Sequence, residues 1–288
     1  MRPPEQMPLT AAYEAVWRKQ SDSASVECLL SRRREHARDL QTFYGRCLGR
    51  LSTSCPKCLE VACGTAIQSY FLAEIDGVQT VALDLVPAAI RFAIQFASHL
   101  PNRPRFLVGD AARLPFADHS FDLVFSCGFL EHFTDPMPFI EEQMRVLTPK
   151  GVLVIDVPQK FNPYTFVKRS LIRKGKWEYG WETEYAYGEL RTLGHKLGLR
   201  VVGRVGYGYN LRRDGGIGLL RYLPRRIAER THAGPFGPLF SSLASVADQL
   251  WAGPEQRWGH LFLVSIAVAF QRRCDIDDRV AADLPFIK

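Results

Sequence analysis

The chain has little of what several common protein classes depend on. No apolar run approaches the ~20 residues that span a bilayer. The longest, Leu261–Phe270 (LFLVSIAVAF), reads instead as a buried strand. Residues 1–20 hold proline and charge where a signal peptide would carry its apolar region, so a reduced, cytoplasmic setting is expected. The seven cysteines are odd in number and unevenly spaced, in a chain long enough to need no staples, so no disulfide framework is expected. Cys55 and Cys58 form a lone CxxC. It lacks the second pair of a zinc site and the following helix of a redox site, so no metal is expected and Cys58 should face inward on a strand. Glycine is scarce where it would be most telling, because the loop in KCLEVACGTAI keeps only Gly64.

What is present describes a soluble globular protein, with 47% hydrophobic and 23% charged residues. The net charge of +7 suits anionic partners (a membrane surface, phosphorylated substrates, nucleic acid) without demanding any of them. Residues 1–53 read as a helical N-terminal cap. Within it, Leu29, Leu30, Leu40, Phe43, Tyr44, Leu48 and Leu51 oppose a basic face of Arg32, Arg33, Arg34, Arg38, Arg46 and Arg50. The plain reading is an amphipathic helix packed on the core with its arginines in water.

From residue 57 short apolar runs alternate with helical segments. Strands are expected at Lys57–Ala62, Gln79–Asp84, Arg105–Val108, Phe121–Ser126, Gly151–Val157, Leu199–Gly206 and Leu261–Phe270. Helices are expected at Ala66–Ile75, Pro87–His99, Pro136–Leu147 and Ala186–Leu197, with Pro149-Lys-Gly151 as a turn closing the third. The alternation predicts an α/β fold, a doubly wound, mostly parallel seven-stranded sheet. The core would occupy 54–210, a helical insertion or lid 211–257, the last core strand 258–272 and a tail 273–288.

In such a sheet ligands bind at the carboxyl ends of the strands where the winding reverses, and the first loop is placed there. A dinucleotide loop, GxGxxG, would fall on Ala62, Gly64 and Ile67, and Ile67 is too large for its last position. The competing pattern is acid-x-Gly-x-Gly-x-Gly, here Glu60-Val-Ala62-Cys-Gly64-Thr-Ala66 with alanine at the outer two places. It is followed in order by VALDL, GDAARLPFADHSFDLVFSCGFLEHF and RVLTPKGVLVIDVP. This series resembles the class I S-adenosylmethionine-dependent methyltransferases, in particular their small-molecule group, closely over residues 55–160.

The resemblance implies S-adenosylmethionine as cofactor, with a Rossmann-like methyltransferase fold. It would place Glu60 near the cofactor's amino group and the backbone of Ala62, Cys63 and Gly64 beneath its methionine and ribose. Asp84 would hold the ribose, Leu85 lie on the adenine, Asp110 meet the adenine amino group with Ala111 beside it, and Ser126 and Cys127 line the methionine end. A cofactor without phosphate suits a loop with acids and no lysine. The plainer reading of Asp84 and Asp110 is capping of the following helices. The alanines are the departure: if Ala62 and Ala66 keep ordinary backbone angles, the loop survives with slightly less room.

His132 in LEHF is the candidate base, the plainer reading being a histidine that shapes the pocket; Glu131 is a weaker candidate. Acceptor selection is expected from Trp177, Tyr179, Trp181 and Tyr185 as a substrate lid, and from an arginine-rich stretch with Arg212, Arg213, Arg221, Arg225, Arg226 and Arg230. The function expected is in-line methyl transfer to oxygen on a small aromatic or apolar metabolite, lipid- or glycan-linked acceptors included. A peripheral membrane contact is kept beside it. Nucleic acid ranks last, without a recognised binding module. The alternative is a catalytically inactive methyltransferase-fold protein with a regulatory or interaction role.

Overall fold

The structure, a computed structural model, describes residues 13–15, 17–18, 40–97, 103–177, 179–207 and 265–273. Seven strands form one sheet: β1 (Lys57–Val61), β2 (Gln79–Asp84), β3 (Arg105–Val108), β4 (Phe121–Cys127), β5 (Leu147–Pro158), β6 (Leu199–Tyr207) and β7 (Ser265–Arg272). Their spatial order is β3-β2-β1-β4-β5-β7-β6. The first five strands pair in parallel, and β7 runs antiparallel between β5 and β6. The helices are α1 (Ile67–Ala73), α2 (Pro87–Ala97), α3 (Met137–Val146), α4 (Pro163–Arg173) and α5 (Tyr187–Lys196), with a 3-10 turn at Leu130–His132. The chain winds outward from β1 to β3 and then returns to β4. The winding therefore reverses between β1 and β4, where Val61 pairs with Ser126.

The sheet is buried on both faces because its central strands are continuously apolar, as a doubly covered parallel sheet requires. Along β5 the side chains alternate. Leu153, Ile155 and Val157 join Leu59, Val61, Ile140 and Leu190 on one face. Val152 and Val154 join Phe125, Phe43, Tyr44 and Ala267 on the other. The helical stretch 40–48 covers this second face with Leu40, Phe43, Tyr44 and Cys47, while Arg50 is exposed, as an amphipathic cap should be. Cys58 is fully buried on β1 and Cys55 exposed before it.

Arg145, near the end of α3, ties the loop before β4 to the helix. Its guanidinium donates to the carbonyls of Leu114 (3.0 Å) and Phe116 (2.9 Å), to Asp118 (2.7 Å) and to Glu142. Glu142 in turn accepts from the Leu114 amide at 2.9 Å. The planar fork satisfies several loop groups at once, which a lysine's single ammonium could not match.

Most element bounds agree with expectation within a residue or two, and three features differ. Pro149–Gly151 is no helix-closing turn. It lies inside β5, where the register against β4 shifts between Phe121 and Leu123. Helix α4 was not foreseen, since its basic and aromatic residues lack an apolar stripe of the usual width. The last strand runs Ser265–Arg272; 261–264 lie outside the described residues, as do the expected insertion 211–257 and most of the 1–53 cap.

Asp156 on β5 is an acid on a buried face, accepting from the Tyr207 hydroxyl. Burial pushes its carboxyl up from an ordinary 3.8 to about 7, against the Tyr207 and Cys127 hydrogen bonds that favour the charged form. With the folded value above the unfolded one, its stabilising contribution is full below pH 4 and is lost as the pH rises through 7. Asp156→Asn should therefore melt progressively higher relative to the parent between pH 5 and pH 8. Thermal denaturation across that range is the check; a pH-independent difference would refute it.

Candidate functional site

At the reversal point, the loop after β1 is held by two buried carboxylates rather than by a run of glycines. Asp84, at the end of β2, accepts from the Gly64 amide through one oxygen (2.8 Å) and from the Val86 amide through the other (2.9 Å). Glu60 accepts from the Ser69 amide at 3.0 Å. Ser69 is in the first turn of α1, whose N-cap, Ala66, has no side-chain acceptor. Glu60 thus caps that helix from the neighbouring strand, satisfying an amide the helix cannot pair internally. Further bonds run from the Cys63 amide to the Leu83 carbonyl (2.9 Å) and from the Ala66 amide to the Cys63 carbonyl (2.7 Å).

Ala62 and Ala66 do not meet the condition of ordinary backbone angles. Both have φ of 54°, next to Gly64 at 52°. The left-handed region brings the alanine Cβ against its own carbonyl, a cost of about 1–2 kcal/mol per residue. The loop keeps the shape glycines would give it, and the surrounding hydrogen bonds hold the strain.

A cavity of about 630 Å³ opens above the loop. Of the sequence-predicted cofactor residues, Glu60, Ala62, Cys63, Gly64, Asp84, Leu85, Asp110, Ala111 and Cys127 all line it, as does His132. Ser126 does not. It lies one residue earlier on β4, 1% exposed, with a hydroxyl that has no hydrogen-bond partner. Of the four lid aromatics only Tyr179 lines the cavity. Trp177 donates instead to Glu182 (2.8 Å), Tyr185 packs against the core beneath the sheet's carboxyl edge, and Trp181 is half-buried outside the lining. The arginines between 212 and 230 lie outside the described residues.

Several lining residues carried no assignment from the sequence. Tyr13 and Trp17 come from the N-terminal segment, read only as a cap. Trp17 stands so close over Gly64 that a Cβ there would lie 2.8 Å from its ring, so this approach requires glycine at a φ that also favours it. Tyr13 meets His132 edge-on at 5.5 Å between ring centres and donates to the Tyr179 carbonyl. Their i, i+4 spacing on one helical face was the available signal. Phe129, Phe133 and Phe139 form a second wall, with ring centres 4.0–5.2 Å apart. They flank LEHF in sequence and could have been read as a pocket wall.

The electrostatics follow from burial. Glu60 is pushed up to about 7, mainly by desolvation and partly by Asp84, against its bond to Ser69. Asp84 is raised by desolvation, against its backbone donors. Asp110 is exposed at the rim and accepts from the Ala112 amide at 2.8 Å; this closes a turn and is not the helix cap its plainer reading supposed, since no helix follows β3 among the described residues. His132 is lowered by burial, which outweighs the Glu182 charge and the Trp181 carbonyl, and its buried Nδ1 makes no hydrogen bond. A neutral imidazole with an unpaired nitrogen in an apolar-walled cavity can accept a proton. Glu131 is buried outside the lining, and desolvation pushes its carboxyl well above the usual carboxylate range.

Because Ala62 is strained and only half-buried, Ala62→Gly should relieve more strain than it loses in unfolded-chain entropy. A gain of about 0.5–1 kcal/mol is expected, read as a rise of about 2 °C in melting temperature. A lower melting temperature would contradict the strain assignment.

Residues 59–155 match the family model described as a methyltransferase domain. Norajmaline N-methyltransferase of Rauvolfia serpentina is 35% identical over 99 residues, covering 34% of each chain. Tocopherol O-methyltransferase of Arabidopsis thaliana is 35% identical over 101 residues, covering 34% of this chain and 29% of that one. The match thus spans about a third of these relatives' own length. Among solved structures, the magnesium protoporphyrin IX methyltransferase of Synechocystis superposes with a TM-score of 0.52 over 83% of both chains at 14% identity, a likeness of fold. Residues 59–155 of this chain thus form a methyltransferase domain.

Proposed function

We propose that the chain transfers the methyl group of S-adenosylmethionine to an oxygen of a small aromatic or apolar acceptor, lipid- or glycan-linked molecules included. The observation that carries this reading is one cavity shared by the Glu60–Ala66 loop, His132 and three phenylalanines. The lining fits a cationic cofactor without phosphate: among the described residues it holds three acids, Glu60, Asp84 and Asp110, and no lysine or arginine. Trp17 and Tyr13 add aromatic faces of the kind that attract cations. When bound, the cofactor supplies a methyl group already activated for in-line displacement, so positioning the acceptor can supply much of the rate.

Within that division of labour the loop and Asp84 orient one reactant, and the Phe129–Phe133–Phe139 wall excludes water around the other. His132, on the cavity wall, takes the acceptor's proton. The relative named as a tocopherol O-methyltransferase supports oxygen as the acceptor atom, and the one named as an N-methyltransferase makes nitrogen the runner-up. The catalytically inactive alternative drew its support from the missing glycines. Because Ala62 and Ala66 hold the left-handed backbone, the loop's shape no longer favours that reading.

Methyl transfer from labelled cofactor into a metabolite extract, fractionated by polarity, should label an apolar fraction; no labelled product would refute the function. With that acceptor, His132→Ala should lower kcat about 10²–10⁴-fold, leaving cofactor affinity within a few-fold. Near-normal turnover at saturating acceptor would remove His132 as base. Since burial lowers its pKa, kcat/KM should stay level as the pH falls through 6.5 and decline only below it. Calorimetric titration should show Trp17→Ala binding S-adenosylmethionine about tenfold more weakly; unchanged affinity would leave Trp17 outside the cofactor site.

A further inference from the structure

Helix α4 buries a lysine and exposes two apolar residues. Thr165, Lys168 and Ile172 face the body of the protein at helical spacing. Lys168, almost fully buried, reaches Glu182 at 2.9 Å and Glu184 at 3.2 Å. Those bonds fasten the helix to the segment that follows it. On the outer side Phe166 is 74% and Val167 53% exposed, and Phe161, just before the helix, is 67% exposed. Such a cluster on a protein surface marks a contact site rather than scattered apolar residues.

The charge around it has one sign. Ser170 and Arg173 share a face with Phe166, and Ser170 and Lys174 with Val167. Arg173, Lys174 and Lys176 are exposed and make no ion pair among the described residues. No acid occurs between Lys160 and Lys176. Aromatic side chains ringed by cations match the boundary of an anionic bilayer, where rings enter the acyl edge and cations meet lipid phosphates. A second copy of this chain would bring the same cations, so like charge opposes self-association through this face.

The patch also leads to the cavity. Leaving α4, the chain passes Trp177, bonded to Glu182, and reaches Tyr179, which lines the cavity wall and accepts from Tyr13. We propose that α4 and Phe161 dock the chain on a bilayer containing anionic phospholipid, with the Tyr179 rim of the cavity beside the lipid surface. The inference rests on this face and not on the methyl-transfer reading.

The test is co-sedimentation of the full chain with vesicles of phosphatidylcholine alone or with about one-third phosphatidylglycerol. Binding should require the anionic lipid and weaken as salt is raised. Phe166→Ser with Val167→Ser, and separately Arg173→Glu with Lys174→Glu, should each weaken it about tenfold. All these residues are exposed, so melting temperatures should match the parent. Absence of binding, equal binding to neutral vesicles, or full binding by both variant pairs would overturn the proposal. So would a dimer in sedimentation that the Phe166/Val167 variant dissociates, since the face would then be a protein interface. Neither cofactor nor acceptor enters the measurement, so failure here leaves the methyl-transfer reading standing.

Discussion

The candidate site depends on one buried carboxylate. Asp84 ends β2, yet its two oxygens are spent on the amides of Gly64 and Val86. It therefore joins the loop after β1 to the entrance of α2 and keeps three backbone segments in register at the point where the sheet's winding reverses. Burying an acid costs several kcal/mol unless its hydrogen bonds are satisfied. The cost is offset here by backbone donors that a left-handed loop turns toward it. The left-handed loop and the acid support each other: Asp84 holds the Gly64 amide, and the turn of the loop aims that amide at it.

Glu60 repeats the arrangement one strand over, supplying the helix cap that Ala66 cannot. Together the two acids make the cavity floor acidic, and no lysine or arginine lines it among the described residues. The roof is different in kind. Trp17 lies over Gly64, Tyr13 leans on His132, and a trio of phenylalanines closes the far side. One cavity thus joins a polar, anionic half to an apolar half, the division needed to seat a cationic donor against an apolar acceptor.

Much of this could be read in the sequence, for reasons that differ by element. The strands were legible because doubly covered strands are uniformly apolar. Asp84, Asp110 and His132 were legible because each stands at a strand end within an ordered series. Helix α4 was not, since it buries a lysine against two glutamates and exposes two apolar residues, against the periodicity that reveals helices. Three of the four expected lid aromatics, Trp177, Trp181 and Tyr185, went elsewhere because composition shows that a stretch is aromatic and not which rings turn inward. Ser126 shows the same limit at the scale of one residue: successive side chains on a strand point to opposite faces, so its neighbour Cys127 reaches the cavity and it does not.

By itself the amino-acid sequence determined the fold class, the strand order's reversal point and most of the acids and loop residues that line the cavity, because alternation and motif spacing are local properties of the chain. Only the tertiary structure decided that Ala62 and Ala66 adopt glycine's conformation, since that depends on Asp84 and the strands that hold the loop from outside it. Only the tertiary structure placed Tyr13 and Trp17 over a loop far along the chain, because what closes a cavity is set by which surfaces pack, and packing carries no sequence period.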